Sequence, residues 1–131
     1  MSETRVIQFY VDLQTKVYDP RLPEKEREET CSQLIDLTRM LDHLPLDADF
    51  RSDMRAQVER LGQEFTTIEN IAKELRELRS CTSRKILAPR IFDQVMMLCD
   101  TAARKGIRES VLKSFANDVN AYIAMARSIQ Q

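Results

Sequence analysis

The sequence predicts an all-α fold: a compact bundle of about six amphipathic helices, with the last two forming an antiparallel hairpin. Three observations predict it. Apolar residues recur at three- and four-residue spacing along almost the whole chain. The strong breakers are few, Gly62, Gly106, Pro20, Pro23, Pro45 and Pro89, and they fall between the periodic segments. No stretch alternates as a strand does, and there is no internal repeat or low-complexity tract. With 131 residues and 43% hydrophobic content, the chain holds enough apolar material for one contiguous core, so residues 1–131 read as a single helical domain.

The first helix is expected over residues 4–17, with Val6, Phe9, Tyr10, Leu13 and Val17 on one stripe. Asp19-Pro20 ends it, because the residue before a proline is pushed out of the helical region. Pro23 suits the first position of helix two, where its missing N–H costs nothing, and Glu24, Glu26, Glu28 and Glu29 complement the positive end of the helix dipole. This helix runs to about His43. Its stripe is Cys31, Leu34, Ile35, Thr38 and Leu41, and Leu37, Met40 and Leu44 widen the apolar arc enough for contacts on two sides.

Asp47 or Asp49 caps a short third helix carrying Phe50, Met54, Val58 and Leu61, which Gly62 is expected to close as a left-handed terminus. Thr66 and Glu69 then fit a capping box that starts a fourth helix, with Ile68, Ile71, Leu75 and Leu78 inside and an end near Ser80. Cys81 to Lys85 read as a polar link. Pro89 opens helix five, with Ile91, Val95, Leu98, Cys99 and Ala102 inward and Gly106 as its stop; helix six continues to about Ser128 along Val111, Leu112, Phe115, Val119, Tyr122, Ile123 and Ala126.

Composition bounds the function. A net charge of -1 gives no general attraction to nucleic acid or to an acidic membrane. Charge is nevertheless uneven: residues 1–49 hold 6 Lys/Arg against 11 Asp/Glu, and residues 50–131 hold 14 against 10. Cys31, Cys81 and Cys99 form an odd set without a CxxC pair, so reduced thiols are expected. The opening residues carry no apolar stretch of the export type, which points to a nuclear or cytoplasmic protein rather than a secreted one.

Catalytic and metal chemistry find little support. The candidate ligands Cys31, His43, Cys81 and Cys99 are scattered without local pairing, and Cys31 and Cys99 lie on apolar stripes as small core residues. The single histidine has no nucleophile motif beside it, and two glycines leave no phosphate-cradling loop. Glu69, Glu74 and Glu77 sit among Lys73, Arg76 and Arg79 as ordinary helical charge pairs. The chain is therefore read as a non-catalytic module that binds protein, with no metal, no cofactor, no small-molecule substrate, no direct nucleic acid and no membrane partner.

Two surfaces are candidates for that binding. Arg76, Arg79, Arg84, Lys85 and Arg90 form a basic stretch suited to an acidic peptide, although Arg76 and Arg79 equally complement the C-terminal dipole of a helix. Met96-Met97 cannot both face one core, which motivates a second reading in which the last two helices self-associate or dock a partner helix.

Residues 5–80 resemble the TFIIS N-terminal domain family, nearest its integrase-binding branch. The likeness lies in a first amphipathic helix from Arg5-Val6-Ile7-Gln8-Phe9, then Leu34-Ile35-Asp36-Leu37 running to Leu44-Pro45-Leu46, then Ile71-Ala72-Lys73-Glu74-Leu75. Leu78 stands where the elongation-factor branch has tryptophan. The resemblance implies capture of short, disordered peptide motifs of transcription or chromatin proteins, with aromatic residues flanked by acids, by two loops at one end of the bundle. By position, Tyr18 and Asp19 match the first loop and Phe65 and Thr67 the second, with Arg60 adding a neighbouring positive charge; Thr67 replaces an aliphatic residue. Residues 86–128 lie outside the resemblance, as an additional helical hairpin.

Overall fold

The computed structural model describes residues 2–19 and 21–130. Among them are six helices and no strand: α1 (Ser2–Val17), α2 (Glu24–His43), α3 (Ala48–Ser83), α4 (Pro89–Arg104), α5 (Glu109–Ser114) and α6 (Ala116–Gln130). The fold is all-α, as the periodicity predicts. No helix among the described residues is long and apolar enough to cross a membrane. The chain divides into two units, residues 1–66 and 67–131, and the division falls within α3.

In the first unit α1 packs along α2. Val6, Leu13 and Val17 of α1 are buried, and removing each from water contributes about 2 kcal/mol. Lys16 Nζ donates to Gln33 Oε1 at 3.1 Å, tying the end of α1 to α2. Helix α1 ends at Val17; Pro20, expected to share in ending it, lies outside the described residues. Pro23 is the N-cap of α2 rather than its first residue, a shift of one position. Arg27 is buried and donates from Nε to the Leu22 carbonyl at 2.6 Å, closing the loop before α2.

Of the two candidates Asp47 and Asp49, Asp47 caps α3, its Oδ2 accepting the N–H groups of Asp49 at 3.2 Å and Phe50 at 3.4 Å. The expected break at Gly62 is absent: α3 runs unbroken from Ala48 to Ser83. Gly62 does not take a left-handed φ, and Thr66, expected to cap a new helix, instead donates its hydroxyl to the Gly62 carbonyl at 3.1 Å inside the same one. The physical reason is the spacing of buried residues. Met54, Val58, Leu61, Phe65, Ile68 and Leu75 keep one phase across the glycine, and a continuous buried stripe outweighs the roughly 1 kcal/mol that glycine costs in a helix interior.

Helix α3 also extends past Ser80, and the link begins later than expected. It ends in a Schellman motif: Ile86 N–H donates to the Cys81 carbonyl at 2.8 Å and Lys85 N–H to the Thr82 carbonyl at 3.2 Å, with Lys85 at φ 55°. The same motif ends α4, where Ile107 N–H reaches the Ala102 carbonyl and Gly106 stands at φ 89°. Gly106 is thus the stop its sequence position predicts. Pro89 opens α4 as predicted.

In the second unit the Tyr122 ring stacks on Phe92 with centroids 5.3 Å apart, and its hydroxyl accepts the Ala88 N–H at 2.8 Å. Phe92 and Tyr122 lie about equally far in sequence from the turn at Gly106, as an antiparallel return requires. The return is not one helix, however. It divides at Phe115, whose N–H turns to the Leu112 carbonyl at 3.1 Å. The Ser114 hydroxyl donates to the Val111 carbonyl, taking a helical acceptor and tightening this turn.

Candidate functional site: an apolar cleft between α2 and α3

The stripe expected to be the core of α2 is covered only in part: Leu34 and Leu41 are buried, whereas Cys31, Ile35 and Thr38 are exposed. The residues that fill the core are Leu34, Leu37 and Leu41 with Thr30. Cys31 is exposed, against the expectation of a small core residue, and Ile35 is 51% exposed. The apolar arc of α2 is wider than its neighbours cover. One side meets α1, and the other forms a wall of an open cleft.

That cleft lies wholly in the first unit, with a volume of about 500 Å³. Helix α2 lines it with Cys31, Leu34, Ile35, Thr38, Leu41 and Asp42, and α3 with Arg55, Val58, Glu59, Gly62, Phe65 and Thr66. Three local devices hold the walls in register: the Asp47 cap, Arg51 Nη2 donating to the Leu44 carbonyl at 2.9 Å, and an ion pair between Arg55 and Asp42. The Arg55–Asp42 pair spans the two helices near their connecting turn.

The lining is mostly apolar. The Thr38 hydroxyl donates to the Leu34 carbonyl at 3.0 Å, as Thr66 does to Gly62, so both threonine protons are committed to their own helices. Gly62 leaves the α3 wall open: a Cβ built on it meets nothing within 4 Å. Nothing in the fold therefore requires glycine here, neither a left-handed backbone nor a close neighbour. Glu59 adds a carboxylate beside the apolar wall, while the Asp42 carboxylate is engaged with Arg55.

The residues matched to the family's two loops separate in space. Tyr18, half-buried, donates its hydroxyl to the Glu64 carboxylate. Arg60 Nε donates to the other oxygen of the same carboxylate at 3.1 Å, so Glu64 joins Tyr18 to Arg60. Asp19 accepts the Arg21 N–H at 3.0 Å as a turn residue. Phe65 is 9% exposed on a helix, not a loop, and lines the cleft. Thr67 is also helical, half-buried, and belongs to the second unit. The expected second loop does not exist, because α3 passes straight through it. What sequence reading missed is the set Cys31, Ile35, Glu59 and Gly62; the signals were the over-wide arc of α2 and a glycine that leaves the periodicity undisturbed.

The basic stretch is likewise divided. Arg79 pairs with Asp118 at 3.2 Å rather than with its own helix, and Arg76 is half-buried and already engaged. Arg84, Lys85 and Arg90 are exposed. Among the described residues no group of three or more His, Cys, Asp or Glu stands close enough to hold a metal ion. Burial raises the Cys99 thiol above its ordinary range, which lowers its reactivity.

No protein-family model matches this chain, and neither the curated proteins nor the solved structures contain a significant match to it.

Proposed function

We propose that this chain is a non-catalytic interaction module whose α2–α3 cleft captures a short amphipathic segment of another protein. The setting in transcription or chromatin is the one its family resemblance implies. Gly62 carries the reading. A glycine inside a helix costs about 1 kcal/mol against alanine, and here neither backbone geometry nor packing calls for it. Its consequence is an open α3 wall in the cleft that Ile35 also lines, where a partner's backbone or side chain can approach closely.

Charge selects the flanks of that segment. Residues 1–66 hold 9 Lys/Arg against 14 Asp/Glu, a net of -5, and Glu59 stands at the cleft. Basic flanks are therefore favoured over the acidic flanks of the family's motifs, with most of the discrimination in the association rate. Capture then moves from the end loops to the helix pair, and the Tyr18–Glu64–Arg60 cluster serves to hold α1 to α3.

Fluorescence anisotropy of labelled amphipathic peptides, matched in apolar residues but carrying basic or acidic flanks, tests this. The basic-flanked peptide binds saturably and loses affinity with salt, and both Gly62→Leu and Ile35→Glu weaken it by about tenfold or more, the effect of losing one well-filled contact. Equal binding by the wild type and both variants, or no binding of either peptide, contradicts the proposal.

Met96 and Met97, 45% and 55% exposed on α4, favour a second reading, self-association through the second unit. It predicts a mass by light scattering that rises with concentration and returns to that of the monomer in Met97→Glu.

A further inference from the structure

We infer that the turn joining α3 to α4 is a peripheral docking site for an anionic lipid surface. Ile86 and Leu87 are each 43% exposed and adjacent. They are bracketed by Arg84 and Lys85 on one side and Arg90 on the other, all exposed. Residues 82–95 contain one opposing carboxylate, Asp93. Isolated exposed aliphatics are ordinary, but two together inside a cluster of three cations match what an interface of headgroups over acyl chains accepts.

Lys85 supplies an independent observation. It occupies the left-handed position of the Schellman motif at φ 55°, a place where glycine is free of strain and lysine is not. The backbone hydrogen bonds of the motif hold Lys85 there, so a lysine side chain is kept at this place against a backbone cost. Its side chain places an exposed cation in the turn, next to the aliphatic pair.

Geometry favours lipid over an acidic polypeptide. Residues 83–87 are exposed without interruption, so the turn presents side chains outward, and a fluid interface receives such a projection without a matching groove of its own. Residues 67–131 hold 11 Lys/Arg against 7 Asp/Glu, so the charge of this unit assists the approach. The whole chain at -1 does not, which makes the attraction local and steeply screened by salt.

Co-sedimentation of the full chain with vesicles of phosphatidylcholine alone, or with about one third phosphatidylserine, tests the inference. Binding is expected on the anionic vesicles and not on the neutral ones, and falls away at high salt. Lys85→Gly removes strain, so its thermal midpoint rises while its partitioning drops about fivefold, the effect of one cation near an anionic leaflet. The double change Ile86→Ser with Leu87→Ser leaves helicity by circular dichroism intact and lowers partitioning further. Equal binding to both vesicle types, or none to either, overturns the inference. So does anionic binding that the serine variant retains in full and polyglutamate displaces equally from both proteins, which identifies a charge-only surface for an acidic polypeptide.

Discussion

Replacing Gly62 separates stability from function in one experiment. In Gly62→Ala the backbone already has the helical conformation alanine prefers, and the new methyl meets nothing within 4 Å, so no packing penalty opposes the gain in helix propensity. That gain is about 0.8–1 kcal/mol in a helix interior, less a few tenths for whatever structure the denatured chain retains. The expected result is a rise of about 0.5–1 kcal/mol in unfolding free energy, or about 2–4 °C in midpoint for a chain of this size. Urea and thermal unfolding followed by far-ultraviolet circular dichroism measure it. Gly62→Leu should be at least as stable while losing peptide binding, because its side chain occupies the cleft. A loss of stability in Gly62→Ala refutes the reasoning, since it would mean that the glycine is needed as a helix stop or a close-packing site.

Gly106→Ala works in the opposite direction, because φ 89° is strained for any residue with a Cβ; a loss of about 1–2 kcal/mol is expected in denaturant titration. Tyr122→Phe removes the acceptor of the Ala88 N–H while keeping the ring stacked on Phe92, and calorimetry should record a loss of about 1–2 kcal/mol. For the cysteines, mass-spectrometric mapping of alkylation should find Cys31 modified first and Cys81 protected by burial. The raised thiol of Cys99 keeps its thiolate scarce, so its alkylation should begin at higher pH than an unperturbed thiol would show. Bound peptide should slow modification of Cys31, which lines the cleft.

The elements that local chemistry dictates were legible in the sequence. The Asp47 cap, Pro89 at the start of α4 and Gly106 at its end each act through their own residue's backbone preferences, and each stands where it was expected. Gly62 shows the limit of that logic: glycine permits a left-handed stop without requiring one, and the buried stripe running through it decides. Lys85 is the complementary case, a left-handed stop at a residue that advertises none. The α2 stripe was also read correctly as apolar, yet periodicity states which residues share a face and not whether another element covers it. That is why the cleft stayed hidden while its residues were in view.

Long-range partners were illegible for a related reason. Tyr18 and Glu64 lie 46 residues apart in sequence, and Arg79 turns to Asp118 instead of a neighbour on its own helix. Helical charge patterns suggest many near pairs of similar weak energy, and tertiary geometry selects among them. The residues assigned by position to two end loops consequently divide between a structural cluster for Tyr18, a turn for Asp19, the cleft wall for Phe65 and the second unit's stretch of α3 for Thr67.

The most direct measurement of the central claim is an amide NMR titration of the full chain with a basic-flanked amphipathic peptide. Saturable shifts centred on Ile35, Val58 and Gly62, absent in Gly62→Leu, are the predicted result. Shifts confined to Tyr18, Asp19 and their neighbours, or no saturable shifts at all, would contradict capture by the α2–α3 cleft.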